Sequence, residues 1–296
     1  MAAETPHVSI ILVNYNGEKD TEECIKSLTE IQYDNFNIIV VDNGSSKGNI
    51  SGNHNISDYA DIIMIEENVG FSGGNNKGIE YALRKYNSTY VLLLNNDTVV
   101  DKDFLSELVK TAEKYKNAII GGTIYYESDR NKIWYAGGEF ITDTALTIHT
   151  YYNTYQERGK LKDREVTFIT GCLMLIPATV IHKIGMLPEK QFLYFEDADY
   201  CCNALKQDIR LLYCSKAVIY HKVNASTQTN SPVQNYYMIR NGLYMVSDYS
   251  KKKWKGYLRI GKREIKRCIQ RKNTVRLLIM ALKDFMNGKS GKAEQF

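Results

Sequence analysis

Short apolar runs that end in polar residues dominate the first hundred residues of the sequence. A strand buried on both faces of a sheet has this uninterrupted apolar character. The segments between the runs include apolar residues at helical spacing, as at Cys24, Ile25 and Leu28. The alternation predicts an α/β fold with a mostly parallel central sheet and helices on both faces. The predicted strands are residues 8–13, 36–41, 62–65 and 91–94.

The pattern changes after residue 100. Residues 125–164 have no clean period and suggest short antiparallel strands and loops. From residue 231 the sequence is helical in character, so we predict a body of residues 1–230 followed by a helical extension of residues 231–296. The other predicted elements are helices at 104–115 and up to 206, and strands at 118–122, 168–176, 209–213 and 217–220.

Polar clusters follow the predicted strands. Because the carboxyl ends of parallel strands meet at one edge of a sheet, we expect these clusters to converge. Carboxylates that converge need a cation, a proton or a charged ligand between them. Taken alone, residues 95–98 fit equally well as a turn before the next helix, and an isolated histidine is more often a structural hydrogen-bonding group. The clusters are residues 14–16, 42–46, 95–97 and 196–199, with His221 at the end of the last predicted strand.

Glycine is concentrated between residues 70 and 78. The segment has neither the spacing of a dinucleotide-binding fingerprint nor the Gly-Lys-Ser/Thr of a phosphate-binding Walker loop. It predicts a tight, flexible turn before a helix that ends near Lys85. Backbone N–H groups could approach an anion there, or the segment could be only a glycine-rich connection.

Charge is unevenly distributed along the chain. Residues 251–296 contain fifteen Lys and Arg but three Asp and Glu, an excess of 12 positive charges. Because the whole chain is +4, residues 1–250 carry −8. The six cysteines show no metal-binding spacing, which favours free thiols in a reducing cytoplasm. We expect neither a secretory signal nor a membrane span, since no apolar run is long enough.

The motifs resemble those of family 2 glycosyltransferases with the GT-A fold, particularly the bacterial rhamnosyltransferase-like branch. The resemblance covers about residues 7–250, and its strength lies in the order and spacing of individually weak motifs. Asn95, Asn96 and Asp97 occupy the place of the family's Asp-x-Asp motif but keep only its last carboxylate. The matching stretches are VSIILVNYNG (8–17), VVDNGS (40–45), NVGFSGGNNKGI (68–79), LLLNNDTV (92–99), TGCLMLI (170–176), FEDADY (195–200), His221 and YYMIRNG (236–242).

The resemblance implies an inverting, metal-dependent transfer of a sugar to a hydroxyl of a glycan or lipid-linked acceptor, in the synthesis of cell-surface polysaccharide. The implied donor is dTDP-rhamnose or a UDP-hexose, and the implied cofactor is Mg²⁺ or Mn²⁺. Residues of about 1–100 would bind the nucleotide and about 101–230 the acceptor. The basic extension, with its interleaved apolar residues, suggests peripheral contact with the inner face of the cell membrane. A homodimer is a further expectation, and a nucleic-acid partner is not expected.

The resemblance also implies roles for individual residues. Asp197 is the expected base, with Asp199 as the competing assignment; Glu196 could instead only stabilise a helix N-terminus. Arg240 lies in a Tyr-rich segment that is expected to be a packing helix, or else to reach the mouth of the site. The remaining implied sites are the nucleotide-sugar contacts Val13, Asn14, Tyr15, Asp42, Gly74, Asn75, Lys77, Asn95 and Asn96, the metal ligands Asp97 and His221, and the acceptor or supporting residues Gly171, Cys172, Glu196, Asp199 and Arg240.

Two other classes of protein remain open from the residues alone. A sugar-phosphate nucleotidyltransferase shares the sheet, the metal and the nucleotide. It needs a Gly-rich loop with Arg and Lys after the first strand, and residues 14–20 read Asn-Tyr-Asn-Gly-Glu-Lys-Asp. A non-catalytic binder of glycans or sugar nucleotides could keep the fold without the chemistry, although the presence of Asp97, Asp197 and His221 together argues against it.

Overall fold

The computed structural model describes residues 5–47, 50–223 and 231–296. Strands and helices alternate up to residue 115, and the last part of the chain is helical. The strands are β1 Val8–Asn14, β2 Phe36–Asn43, β3 Ala60–Ile65, β4 Tyr90–Asn95, β5 Thr98–Val100, β6 Ile119–Tyr126, β7 Asp129–Ala136, β8 Gly138–Ile141, β9 Leu146–His149, β10 Arg164–Val166, β11 Leu173–Pro177 and β12 Leu211–His221. The α-helices are α1 Glu18–Leu28, α2 His54–Ser57, α3 Gly70–Tyr86, α4 Phe104–Tyr115, α5 Ala178–Ile184, α6 Glu196–Lys206, α7 Pro232–Tyr249, α8 Lys253–Ile269 and α9 Val275–Met286.

The first half of the central sheet is parallel. Its strands lie in the order β3-β2-β1-β4, with Leu12 of β1 opposite Val40 of β2 and Leu94 of β4. These three side chains are buried, as the uninterrupted apolar runs predicted. The polar residues that follow the strands therefore emerge at one edge of the sheet.

The second half of the sheet mixes directions. Strand β11 lies antiparallel between β4 and β6, β12 runs parallel to β6, and β5 and β10 pair antiparallel with β12. The predicted α/β fold class is confirmed. The antiparallel strands expected in 125–164 are present as β7 to β10.

Two predictions for the second half need correction. The strands predicted at 209–213 and 217–220 form the single strand β12, whose pairing with β6 is interrupted by an irregularity between Tyr213 and Val218. Polar residues at the irregularity made one strand look like two. Of the strand predicted at 168–176, only the part from Leu173 onward forms a strand, although Phe168 makes an isolated bridge with Gly138.

The glycine segment is also different from the prediction, because it is helical. Helix α3 begins at Gly70 itself, with a φ of +81° there, and the other glycines lie in its first turns. A Cβ on Gly78 would lie 2.5 Å from Ile11 Cγ2, and one on Gly74 would lie 2.9 Å from Val13 Cγ1. The glycines therefore let α3 pack closely on β1, and the segment is not a turn.

The helical extension packs around α7. Helices α8 and α9 both lie against α7, with Tyr244 of α7 and Tyr257 of α8 in ring contact with Phe285 of α9. The predicted boundary between residues 230 and 231 adjoins residues 224–230, which lie outside the described part of the chain. No helix in the described ranges has the length and apolar character needed to cross a bilayer.

Candidate active site

A cleft of about 430 Å³ opens where β4, β12 and the N-terminus of α6 meet. Its walls bring together polar groups that are far apart in the sequence and a set of large aromatic side chains. The polar lining includes Asn95, Asp97, Glu196, Asp197 and His221, with Gly171 and Cys172 beside them. The aromatic lining includes Phe71, Trp134, His149, Phe168, Tyr194 and Phe195.

Asp97 and His221 form a buried pair on one wall. The Nε2 atom of His221 lies 3.1 Å from Asp97 Oδ1, and both side chains are less than a tenth exposed. The backbone fixes this pair, because His221 of β12 is paired with Thr98 of β5 and the Lys222 N–H donates to Asp97 O (3.0 Å). Burial alone would lower the pKa of His221, but the neighbouring Cys172 and Asp97 raise it to about 10.

The pair has donor chemistry that suits a divalent cation. The carboxylate and the imidazole face the same cleft, and His221 Nδ1 is buried without a hydrogen-bond partner in the described part of the chain. Within those ranges no group of three or more His, Cys, Asp or Glu side chains is placed to hold a metal. A cation here would therefore rely on one or two protein ligands together with water or a bound phosphate, which is the usual manner of Mg²⁺.

Glu196 and Asp197 lie at the first turn of α6, on another wall of the cleft. The Gly171 N–H donates to Asp197 Oδ2 (3.0 Å) and the Ala198 N–H donates to Asp197 Oδ1 (2.7 Å). Burial raises the pKa of Asp197 despite these bonds. Burial, together with the neighbouring Asp197 charge, holds the pKa of Glu196 well above its ordinary range. Glu196 Oε2 is buried and has no partner among the described residues.

Asp199 lies on a different side of α6. It is buried, and it accepts hydrogen bonds from the side chains of Gln191 and Tyr249. Lys190 Nζ lies 3.1 Å from its Oδ2. Among the described residues Asp199 does not line the cleft, so its contacts are structural.

The loop before Glu196 has a strained backbone that α7 holds in place. Phe192, Tyr194 and Phe195 have φ values of 66°, 65° and 74°, a region that costs free energy for bulky residues. Asn241 Nδ2 donates to the backbone oxygens of residues 191, 193 and 194 at 2.8, 2.7 and 3.2 Å. We call residues 191–195 the acid-positioning loop, because it leads directly into Glu196 and Asp197.

Arg240 does not reach the cleft. It is buried, its guanidinium lies over the rings of Tyr236 and Tyr237, and it donates to the backbone oxygens of Gln191 and Gly291. The Tyr-rich helix is therefore a packing helix, which was the favoured of the two interpretations. Arg240 supports the acid-positioning loop through its hydrogen bond to the Gln191 carbonyl (3.1 Å).

Asn14 and Asp42 form a second polar group at the same edge of the sheet. They are opposite each other in the β1–β2 register, and Asn14 Nδ2 donates to Asp42 Oδ2 (3.2 Å). The Ser45 N–H donates to Asp42 Oδ1 (2.8 Å), so the turn after β2 is closed over the carboxylate. Tyr15 follows with nearly half of its side chain exposed.

Three other residues that were expected to contact the nucleotide sugar instead contact neighbouring residues of the protein. Lys77 is exposed on α3, where its Nζ lies 3.6 Å from Glu80. Asn75 donates back to the Phe71 carbonyl at 2.9 Å, and Asn96 donates to Thr21 Oγ1 at 2.9 Å. The structure thus brings Asn95 into the cleft with Asp97, but not Lys77, because that position of the helix faces outward.

The sequence did not predict the aromatic side chains that line the cleft. Trp134 of β7 lies edge-on to the rings of His221 and His149, with ring centroids 4.8 and 4.7 Å apart. Tryptophan occurs twice in the chain, and this rarity was the signal in the sequence that could have drawn attention to Trp134. The residues around it have no periodic apolar pattern, so the sequence did not predict its position.

The family assignment follows from a match to the model of the family described as "Glycosyl transferase family 2", which covers residues 9–185. The chain belongs to this family. The matched region contains the sheet edge with Asn14, Asp42 and Asp97, and it ends before Glu196.

Two characterised relatives of this family 2 chain cover most of its length. It is 28% identical over 242 residues to the low-salt glycan biosynthesis hexosyltransferase Agl10 of Haloferax volcanii, covering 79% of this chain and 73% of the relative. It is 23% identical over 250 residues to the dTDP-rhamnosyl transferase RfbF of Shigella flexneri, covering 81% and 80%.

Solved structures share the fold of this family 2 chain at low sequence identity. GalNAc-T7 with UDP, GalNAc and Mn²⁺ gives a TM-score of 0.61 at 12% identity over 85% of this chain, and the chain spans little more than half (56%) of that protein. The mannosyltransferase PcManGT from Pyrobaculum calidifontis, in complex with GDP-Man and Mn²⁺, gives 0.59 at 14% identity over 88% of this chain and 70% of that one. The expected family and GT-A fold are confirmed.

Proposed function

We propose that this protein is an inverting, metal-dependent glycosyltransferase that moves a sugar from a nucleotide donor to a hydroxyl group of a glycan or lipid-linked acceptor. The observation that carries the proposal is the shared cleft: the Asp97–His221 pair and the Asp197 carboxylate line one cavity at the edge of the sheet. A leaving diphosphate and an attacking hydroxyl need different partners, and the cleft offers both.

Asp197 is proposed as the base. Its carboxylate is held by the Gly171 and Ala198 N–H groups, while part of the side chain stays open to the cleft. Because burial raises its pKa, the ionised form takes a proton more readily than an ordinary aspartate. Asp197 would remove the proton of the acceptor hydroxyl as that oxygen attacks the anomeric carbon from the face opposite the diphosphate.

Inversion is supported by the carboxylates of the cleft. A double displacement would need a second carboxylate as the nucleophile at the anomeric carbon. Asp97 is hydrogen-bonded to His221 and would be used in holding the metal. Glu196 also lines the cleft, but its pKa is held well above the ordinary range, which disfavours the ionised form that a nucleophile needs. One attack, assisted by one base, fits the arrangement.

Asp97 and His221 would hold the divalent cation. When bound, the metal neutralises charge that develops on the departing diphosphate. The cation is proposed to be Mg²⁺ or Mn²⁺, since both accept carboxylate and water oxygens as ligands. The Mn²⁺ named with both structural neighbours supports a divalent metal in this cleft.

Asn14 and Asp42 are proposed to bind the nucleotide base. Asp42 is 3% exposed and already fixed by Asn14 and Ser45, so its remaining acceptor capacity has a defined direction. An imide N–H, as in thymine or uracil, would suit a fixed carboxylate acceptor. The donor is therefore proposed to be dTDP-rhamnose or a UDP-hexose, which also agrees with the names of the relatives.

A panel of sugar nucleotides tests the proposal. Purified protein is incubated with dTDP-rhamnose, UDP-hexoses and GDP-mannose, each with Mn²⁺, Mg²⁺ or a chelator. Thermal shift and slow donor hydrolysis are then measured. We expect a dTDP- or UDP-sugar to raise Tm only when the metal is present. If GDP-mannose were the one donor that stabilised the protein, the proposed recognition of thymine or uracil by Asp42 would be wrong. If no donor binds with any metal, the transferase proposal is wrong.

A further inference from the structure

The last two helices expose large apolar side chains in regular rows. On α8 the row is formed by Trp254, Leu258, Ile265 and Ile269, at intervals of four, seven and four residues. On α9 it is formed by Val275, Ile279, Leu282 and Met286, at intervals of four, three and four. Their exposed fractions lie between 36% and 77%. Residues at these intervals share one helical face, so each helix has an unpartnered apolar row.

The opposite faces of both helices are buried against the protein. Ile260 of α8 and Leu277 and Ala281 of α9 belong to the core cluster. Gly261, by contrast, lies within the exposed row of α8, where a Cβ would meet no atom within 4 Å. The exposed rows are therefore additional to the apolar residues that fix the helices to α7.

Exposed cations flank the rows. Lys262 and Lys266 on α8 and Arg276 and Lys283 on α9 are exposed. In the described ranges no carboxylate lies within ion-pair distance of these four side chains, whose charges are available to a partner.

Two of the three acidic residues in 251–296 are buried and do not contribute to this surface. Glu264 is 2% exposed and is bound by Arg263, Arg267 and Asn273. Asp284 is 7% exposed, accepts from the Tyr236 hydroxyl (2.8 Å) and pairs with Lys289 (3.2 Å). Of the three acids in residues 251–296, only Glu294 is exposed. The surface is thus cationic and apolar together.

We propose that the exposed faces of α8 and α9, which we call the basic apolar surface, dock on an anionic lipid bilayer. Amphipathic helices bind at the bilayer interface by inserting apolar side chains below the headgroups, while Lys and Arg meet anionic lipid. Trp254 suits the interface, because its ring is apolar and its N–H is polar.

The charges favour a bilayer over a second copy of the chain. Two copies joined through this surface would bring two groups of unpaired cations together, which opposes association. Nucleic acid would pair with the cations but would leave the apolar rows in water. An anionic surface with an apolar interior satisfies both features.

Docking here would bring the cleft close to the membrane through α7. Helix α7 packs against both α8 and α9, and its Gln234 and Met238 line the cleft. The same helix holds the acid-positioning loop through Asn241. The binding itself is independent of sugar transfer, so its test needs neither donor nor acceptor.

Vesicle sedimentation of the full chain tests the proposal. Vesicles contain phosphatidylcholine alone, or phosphatidylcholine with about one-third phosphatidylglycerol. At low ionic strength we expect the protein to sediment with the anionic vesicles only, and added salt to release part of it. Failure to bind anionic vesicles at low ionic strength would overturn the proposal.

Matched variants separate the surface from general charge effects. Ile265→Ser with Ile269→Ser removes two members of the α8 row, and we expect the binding constant to fall by at least about tenfold. Lys262→Glu with Lys266→Glu should weaken binding similarly. The control is Lys110→Glu with Lys114→Glu on α4, which makes the same charge change at the same spacing on an exposed helix of the body. An equal loss in the control would contradict the assignment of the surface.

Trp254 fluorescence and the oligomeric state complete the test. Insertion should shift the emission to shorter wavelength with anionic vesicles, and Trp254→Phe should remove the shift while binding remains.

Sedimentation velocity measures the oligomeric state and so tests whether a second copy of the chain covers the surface instead. If the wild type is a dimer that the Ile265→Ser, Ile269→Ser variant dissociates, and vesicles do not bind, the surface is a dimer interface and the proposal is wrong.

Discussion

The two halves of the central sheet place their polar residues by different means. In the parallel half, Asn14 and Asp42 meet because they are opposite each other in the register of two adjacent strands. At the junction of the two halves, Asp97 meets His221 across 124 residues. In the mixed half, Gly171 holds Asp197 across 26 residues. The first group depends on the register of two neighbouring strands, whereas the other two contacts also depend on hydrogen bonds between segments that are distant in the sequence. In the proposed function the first half binds the donor, and the second carries the reaction.

Variants at the junction and in the second half should therefore lose different functions, donor binding in one case and turnover in the other. Changes at the junction of the two halves should abolish metal-dependent donor binding. Changes in the second half alone should lower turnover while donor affinity is kept. Each expectation below tests that separation.

The largest effect is expected for Asp97→Ala. The variant removes the carboxylate at the junction and leaves His221 without its partner, so metal-dependent donor binding should be lost. Calorimetric titration of donor with Mn²⁺ or with a chelator measures it. The control is Asp101→Ala, which removes a carboxylate just after β5 that pairs with Arg158 at 3.6 Å. Donor binding by Asp97→Ala that still depends on metal would refute the metal assignment.

A smaller effect is expected for Asn241→Ala. The variant removes three hydrogen bonds from the acid-positioning loop, so Glu196 and Asp197 should be less well placed. We expect kcat to fall by about tenfold or more, with the Kd of the donor unchanged.

The control for Asn241 is Asn203→Ala on α6, which removes a side-chain bond to the Ile184 carbonyl (3.3 Å) away from the loop. Steady-state kinetics and donor titration are compared for both variants. Equal losses of kcat and donor affinity in Asn241→Ala would indicate general destabilisation and argue against a positioning role.

The smallest effect is expected for Glu196→Gln, and it concerns stability. Folding raises the pKa of Glu196, so the folded state binds more protons than the unfolded state between the two pKa values. The stability of the wild type therefore falls as pH rises through this window. The Glu196→Gln variant has no carboxyl group to ionise there, so its stability should not fall in this window. Its Tm should be about 3 °C higher than that of the wild type at neutral pH.

Thermal unfolding of both proteins across pH checks this expectation. The two Tm values should converge below about pH 4, where Glu196 is protonated in both states. A constant difference at every pH would show that the carboxyl charge is not its cause.

The sequence predicted the parallel half well, because the signal there is local. An apolar run followed by Asn14 or Asp42 predicts both the strand and the polar residues at its end. The helical glycine segment was misread, since its glycines serve the approach of Gly78 to Ile11, a tertiary contact. The resemblance placed Lys77 at the nucleotide sugar, but the orientation of α3 directs it to solvent. For Arg240 the sequence left a packing helix and the mouth of the site open, and the orientation of α7 directs it to backbone carbonyls. Asp197 and Asp199, two residues apart, could be separated only by the direction in which α6 presents them.

The central claim is that Asp197 takes the acceptor proton in the cleft that Asp97 and His221 share. It is tested most directly by Asp197→Asn, which keeps the shape of the side chain but cannot accept the proton. Donor affinity with Mn²⁺ and turnover at saturating donor and acceptor are measured on the same preparation. We expect an unchanged donor Kd and a kcat lower by about 10²- to 10⁴-fold. Turnover at the wild-type rate would contradict it.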